Sequence, residues 1–494
     1  MSRKVLAMTA IAVFAAGCAD YETARSEEQL IREPLTPQQI NKRINTTLQK
    51  SILYNWKDAS TYLLWSAVVQ GNNVVAIGYG NDAADIERNV ANAKIKSDIL
   101  NVIEQFEGKL TVISDDPILT TMDVEIRKQE TIAALRKLRF IRYIEPADYR
   151  YTDYETNLVT YSGVSSGSGC GYESVSLLSQ DFTTIQPNAR AGWTLYHHNI
   201  PTAWNLSTGA GVTIGIVDTG TSPQQSLLGN AFNDGFSQGR TIQKFGTFVD
   251  SAWPWSTGTD GVNDLCGHGT SMAAAAAAPR NDNGMPVGVA YNSNLITYRA
   301  AANVVLDSYH EQNGVKNAFT ALGNNNSVRI ISMSMGHVFS VGKISDGVKY
   351  AFNRGKLIFC AGGTSTSFTN FVGVIFPASM PEAIAVTGVK DGASYQKCDV
   401  CHSGSKIEFT VAMQRNANGS TAPVLSYYDN QTDYVGGSSV ATATTAGIAA
   451  LVWARYPTWT RQQVLDRMRQ ASHFFPNKNG QFGYGNINAA QAVQ

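Results

Sequence analysis

Charge is scarce in this chain. Lys and Arg number 39, Asp and Glu also 39, and together they make up 16% of 494 residues. With no net charge there is no electrostatic footprint for nucleic acid or for a strongly acidic partner. Long apolar runs are equally scarce. After the first 16 residues none is long enough to cross a bilayer, and the alanine run Ala273–Ala278 is far too short. Cysteine is limited to six, no internal repeat is visible, and no loop carries the regularly spaced carboxylates of a calcium site. What is abundant is glycine, 43 residues of it. The composition describes a loop-rich globular protein with room for two or three domains and a large core.

The N-terminus carries an address. Ser2-Arg3-Lys4 is a basic start, and Val5–Ala16 is apolar except for Thr9. That stretch fits a signal peptide and not a membrane span. It ends in Ala15-Ala16-Gly17-Cys18, which resembles a bacterial lipobox, with Cys18 the lipidated first residue of the mature chain. The expectation is an exported envelope lipoprotein, periplasmic or on the outer surface. An exported chain permits disulfides among Cys170, Cys266, Cys360, Cys398 and Cys401, but the odd count leaves at least one thiol over. Cys398-Asp-Val-Cys401-His402 invites a metal reading, yet a second ligand pair is missing. A short-loop disulfide or two plain thiols is the better account.

Residues 19–70 read as a polar tether with an amphipathic helix over Thr36–Ile52, since Ile40, Ile44, Leu48 and Ile52 recur every four residues. Residues 71–150 are organised. Strand Asn73–Gly78 is followed by helix Asp82–Phe106, then strands Lys109–Ile113 and Thr121–Ile126. Helix Lys128–Leu138 and strand Phe140–Ile144 complete a βαββαβ order, the ferredoxin-like pattern. Residues 151–190 turn to Tyr, Ser, Thr and Gly, as a cleavable linker does. From 191 to 494 strands and helices alternate. Apolar strands are expected at Val212–Val217, Val289-Ala290, Leu295–Tyr298, Ile330–Met333, Leu357–Cys360 and Ala383–Val386. Helices over His310–Leu322 and Gly342–Arg354 lie between them, so the fold class is α/β, a parallel sheet with helices on both faces.

Within that region the first strand ends on Asp218-Thr219-Gly220, and Cys266-Gly267-His268-Gly269-Thr270 opens a helix some fifty residues later. A carboxylate at the carboxyl end of a parallel strand sits where such sheets place active sites. An acid that orients a histidine base requires a nucleophile. Two serines compete: Ser271 in Gly269-Thr-Ser-Met-Ala273, and Ser439 in Gly437-Ser-Ser-Val-Ala441. Both follow glycine and open a helix, where backbone N–H groups face an incoming oxyanion.

These segments together resemble the subtilisin-like serine proteases over about residues 193 to 494. Ile216–Gly220 resembles the family's aspartate motif, Gly267–Thr270 its histidine motif, and Gly437–Ala441 with Ala446–Leu451 its serine motif and buried helix. Asp, His and Ser also come in the family's order. Ser332–Gly336 resembles the strand lining the groove for substrate backbone, and Pro377–Ser379 with Ile384–Val386 a later core strand. The resemblance implies roles. Asp218 would hold the imidazole, His268 would take the hydroxyl proton and Ser439 would attack the carbonyl, with Ser334, Met335 and Gly336 in the groove. Ser271 is set aside, because it lies where the histidine helix continues and would leave the second glycine-serine turn unexplained.

The match departs from the family at Gly363, which stands where an asparagine amide usually supports the oxyanion; Thr364, Ser365 or Asn370 are the nearby substitutes. It departs less consequentially at Ser271-Met272 and at Ala443. The resemblance also implies that residues 71–150 are a propeptide that assists folding and blocks the groove, with self-cleavage somewhere in 147–190. The expected protein is a serine endopeptidase, made as a zymogen, acting on proteins or peptides and needing no cofactor, with structural calcium left open. The alternative is a weak or inactive binding protein on the same scaffold, because of Gly363.

Overall fold

Thr36 starts the first helix by a capping box with Gln39, and α1 (Pro37–Leu48) then buries Ile40, Ile44 and Leu48 on one face. The computed structural model describes residues 33–51, 53–81, 89–151, 170–172, 174–364, 373–392 and 394–494. The expectations at Cys18, Ile52, residues 82–88 and 152–169, Ser365 and Asn370 lie outside the described residues. A second helix, α2 (Thr61–Gln70), follows with Ser60 as its N-cap. Both helices share one core with the next module. Residues 35–70 are therefore a packed part of the fold, which corrects the tether reading. The four-residue spacing that predicted the helix was the sign of a face that needed covering.

The next module keeps the expected order. Strands β1 (Val74–Tyr79), β2 (Val112–Asp116), β3 (Thr121–Glu125) and β4 (Ile141–Pro146) form an antiparallel sheet in the order β2-β3-β1-β4, with α3 (Asn89–Glu107) and α4 (Gln129–Leu135) between them. Ile77 stands opposite Met122 on one side and Ile144 on the other. Val75, Ile77 and Tyr79 join the helix-side core, while Val74 and Ala76 turn the other way and meet Tyr309. Both faces of this small sheet are thus covered.

The larger sheet has seven parallel strands in the order β13-β12-β11-β10-β7-β9-β8. They are β7 (Thr213–Asp218), β8 (Ile242–Gly246), β9 (Asn294–Arg299), β10 (Val328–Met333), β11 (Leu357–Ala361), β12 (Ile384–Lys390) and β13 (Ile407–Gln414). Two antiparallel pairs accompany it, β5 (Phe182–Ile185) with β6 (Ala189–Gly192), and β14 (Ala422–Leu425) with β15 (Thr432–Val435). Val289-Ala290, expected as a strand, is instead a buried turn. Strands β8 and β13 escaped the sequence reading; β8 is an edge strand whose residues alternate between partial burial and exposure, so it carries no apolar run.

Helices cover both faces of this sheet: α5 (His268–Ala277), α6 (Tyr309–Asn324), α7 (Gly342–Asn353), α8 (Gly437–Arg455) and α9 (Arg461–Gln470). By length and composition α8 is apolar enough to cross a membrane, but it is buried in the core of the domain. Helices α6 and α7 carry the small module on their outer side. Asp123 pairs with Lys343 at 2.9 Å, Asp116 with Lys316 at 2.9 Å, and Arg142 with Asp346 at 2.6 Å. Helix α7 has no side-chain cap of its own; Glu145 of β4 supplies one by accepting the Gly342 N–H at 2.8 Å. Burial pushes the Glu145 carboxyl up to about 7, against the pull of that N–H and of Lys343.

Candidate functional site

Asp218 is the last residue of β7, at the carboxyl end of the parallel sheet, and is fully buried. Its Oδ1 accepts the Thr219 N–H at 2.9 Å and the His268 Nδ1–H at 2.7 Å. His268 is the first residue of α5. The turn before it runs through Gly267 at φ 90°, and a Cβ there would meet the Gly171 carbonyl at 2.2 Å, so only glycine fits. Burial alone would lower the imidazole pKa, but the charge and hydrogen bond of Asp218, with a further contribution from Asp264, raise it above the usual histidine value.

Asp264 was missed in the sequence. It is buried and accepts the N–H groups of Cys266 and Gly267 on Oδ1, each at 2.8 Å. Its Oδ2 accepts the Thr270 N–H at 2.9 Å and hydroxyl at 2.6 Å. The Thr219 hydroxyl donates to Oδ1 at 2.9 Å, which ties the aspartate turn to the histidine turn. The only hint was a carboxylate four residues ahead of the histidine in a glycine-rich loop. Within this loop Cys266 is bridged to Cys170, and the Gly171 N–H donates to the Cys266 carbonyl at 2.8 Å.

Ser439 is the third residue of α8. Its own N–H belongs to the first turn, whose donors have no acceptor within the helix. Gly437, at φ 83°, makes the turn that precedes it, and a Cβ there would press on the Thr364 hydroxyl at 2.8 Å. The Ser439 hydroxyl is half-buried and donates to the Ser334 carbonyl at 3.4 Å, while the Ser334 hydroxyl donates to the Ser439 carbonyl at 3.0 Å. Ser334 and Ser439 are thereby held together. Ser271 lies inside α5, buried, with its hydroxyl turned back on the Gly267 carbonyl at 3.3 Å. That is a helix-interior serine.

The surroundings of Gly363 explain its lack of a side chain. An added Cβ would lie 2.2 Å from Nδ1 of His402, so the imidazole occupies the space. Its Nδ1–H donates to the Gly373 carbonyl at 2.9 Å, its buried Nε2 has no partner among the described residues, and burial lowers its pKa. The Gly363 N–H is spent on the Ser438 hydroxyl at 3.1 Å. Thr364 is the residue that reaches the turn before Ser439: its hydroxyl oxygen accepts the Ser438 N–H at 3.2 Å and lies 3.1 Å from the Ser438 hydroxyl.

Cys398 and Cys401 form a short-loop disulfide, and Cys360 is a free, buried thiol whose pKa is pushed well up by burial. Among the described residues no group of three or more His, Cys, Asp or Glu side chains is placed to hold a metal ion.

Residues 209–485 match the family described as Peptidase_S8, the subtilase family. Subtilisin of Bacillus sp. strain TA39 is 25% identical over 305 residues, covering 58% of this chain and 67% of that protein. The thermostable alkaline protease of Halalkalibacterium halodurans is 32% identical over 237 residues, 47% of this chain and 59% of that one. In fold the chain is similar to fervidolysin from Fervidobacterium pennivorans, a keratinolytic enzyme related to subtilisin, at a TM-score of 0.59 and 16% identity, covering 85% of this chain and 61% of that one. With the profile spanning more than half of the sequence, this chain belongs to the subtilase family and is a serine-type endopeptidase.

Proposed function

We propose that peptide bonds are cleaved by Ser439, with His268 as general base and Asp218 as its orienting acid. The observation that carries this reading is the 2.7 Å hydrogen bond between Asp218 and His268. It commits Nδ1 to carrying a proton and leaves Nε2 as the basic nitrogen. For attack, the Ser439 hydroxyl leaves the Ser334 carbonyl, gives its proton to Nε2, and bonds to the substrate carbonyl carbon. The oxyanion is met by the Ser439 N–H at the positive end of α8, with the Thr364 and Ser438 hydroxyls beside it. His268 then returns the proton to the leaving amine, and water hydrolyses the acyl-enzyme by the same exchange. Ser334, Met335 and Gly336 are read as the edge that receives the substrate backbone.

The same reading makes residues 71–150 a self-inhibiting module, supported by Glu145 on the α7 N-terminus and by the three ion pairs across the contact. Cleavage is read as falling somewhere in 147–190. Export and lipidation at Cys18 complete the proposal.

The test compares the intact mass of the chain with that of its Ser439→Ala variant, alongside labelling by a fluorophosphonate. Loss of the first 150 or so residues by the wild type alone, with label on Ser439, supports the proposal. If both stay whole and neither is labelled, the chain is an inactive scaffold and the triad assignment fails. Incorporation of labelled fatty acid, abolished by Cys18→Ser, tests the anchor.

A further inference from the structure

The backbone expected to receive substrate is already paired. Gly336 donates its N–H to the Val304 carbonyl at 3.0 Å and accepts the Leu306 N–H at 3.3 Å. Val305 and Gly336 are bridged as parallel strands. On the opposite edge His337 exchanges both of its backbone hydrogen bonds with Phe376, at 2.9 and 3.1 Å. An extended peptide binds a strand by filling free donors and acceptors along its edge. At Gly336 and His337 none is left.

The pairing is braced by a carboxylate of the catalytic region that the N-terminal module also reaches. Asp307 follows Leu306, and its Oδ1 accepts two groups: the Tyr151 N–H at 3.0 Å and the His337 side chain at 2.9 Å. The Phe339 N–H donates to His337 Nδ1 at 2.9 Å, so the ring proton is on Nε2 and points at Asp307. One carboxylate therefore joins the residue after Leu306, the residue after Gly336 and the end of the module. Further along the same strand Tyr54 pairs with Phe339: the Tyr54 N–H donates to the Val338 carbonyl at 3.1 Å, and the Ser340 N–H to the Tyr54 carbonyl at 3.0 Å. The rings of Tyr54, Trp56 and Tyr151 close around Phe339 at 5.1 to 5.9 Å.

We propose that in the uncleaved chain the substrate edge at Gly336 is shut by pairing with Val304 and Leu306, and that residues 35–151 keep it shut through Asp307 and Tyr54. The module inhibits by holding two segments of the catalytic domain together, and among the described residues its own chain does not fill the Gly336 edge. Extended peptides gain this edge only when Tyr151 and Tyr54 let go. The proposal rests on reading Ser334–Gly336 as the substrate edge.

The test uses the uncleaved chain carrying Ser439→Ala, which cannot process itself. Hydrogen exchange is followed in peptides covering 303–308 and 334–340, and binding of a fluorescent extended heptapeptide is followed by polarisation. The expected result is slow exchange and no binding in this parent. Added Asp307→Ala speeds exchange in both segments by at least about 10-fold and admits the peptide. Asp307→Asn, which keeps the Oδ1 acceptor, behaves like the parent. If Asp307→Ala does not fold, Tyr151→Pro deletes the module's N–H donor and takes its place. Fast exchange in the parent, or exchange unchanged in the variants, overturns the proposal. Fluorophosphonate labelling of the chain with Ser439 intact is read separately. Absent labelling with the expected exchange pattern removes the protease chemistry and leaves the shut edge standing.

Discussion

Asp264 accepts both donors of Thr270, the backbone N–H at 2.9 Å and the hydroxyl at 2.6 Å, across the loop that delivers His268. The same carboxylate adds to the raised pKa of that histidine. Asp264→Asn removes the charge and turns an amide N–H toward the Thr270 donors. The imidazole pKa falls, its neutral form is present at lower pH, and the acid limb of kcat/KM moves down. Loosening of the loop lowers kcat by about 10-fold, equivalent to ~1.4 kcal/mol. A pH–rate profile of the processed enzyme checks both effects; an unmoved acid limb would show that the charge is not felt at His268.

The two serines should separate cleanly. Ser439→Ala is expected to lower kcat by at least ~10⁴-fold. Ser271→Ala removes a weak hydrogen bond within a helix, so it changes stability by about 1 kcal/mol or less and leaves turnover within about twofold. Single-turnover kinetics on one peptide substrate decides between them.

Glu145 predicts how pH acts on the module. Its folded pKa, near 7, lies above its ordinary value of 4.5. A raised pKa means the native state binds the proton more tightly. Its stabilising share is therefore complete below about pH 4.5 and is lost as pH rises through 7. The ionised group then costs about 3 kcal/mol relative to acid conditions, as an upper figure. Glu145→Gln keeps an acceptor for Gly342 and removes the charge, so it should raise stability at pH 8 and change little at pH 4. Glu311, buried and also raised to about 7, contributes in the same direction, so the variant flattens only part of the slope. Denaturant titrations of an uncut Ser439→Ala background at the two pH values give the answer.

The Cys170–Cys266 bridge closes a loop of 96 residues beside the histidine turn. Its removal by a Cys170→Ser, Cys266→Ser pair is expected to destabilise the catalytic region by about 5 kcal/mol on the chain-entropy account. Turnover should fall as well, because Gly171 and Gly267 are in contact there. Thermal melts with and without reductant test this, and the double variant should respond less to reductant than the wild type.

Much of the fold could be read from local pattern. β7 is a run of β-branched and small apolar residues ending on Asp218, and the strand–helix alternation from β9 to β12 followed the same logic. The βαββαβ order was legible because each element carried its own period, 2 or 3.6. Elements without a strong period were lost: β8 at the sheet edge, and β13 in a stretch where no apolar strand was expected. Residues 35–70 looked like a spacer because their buried face is covered by residues far along the chain, Val338 and Phe339 among them.

The sequence by itself determined the chemical parts: an aspartate at a strand end, a histidine opening a helix, a serine in a Gly-Gly-Ser-Ser turn, and their order. Motifs of this kind are local, since the turn that presents each side chain is made by its immediate neighbours. The tertiary structure decided everything that depends on residues distant in sequence. Only packing placed His402 in the space beside Gly363, brought Thr364 to the Ser438 turn, and set Asp264 beneath the histidine loop. It also decided that Gly336 pairs with Leu306, next to the Asp307 carboxylate that accepts the Tyr151 N–H. Backbone hydrogen bonds across such distances carry no residue signature, because every residue but proline has the same donor and acceptor to offer.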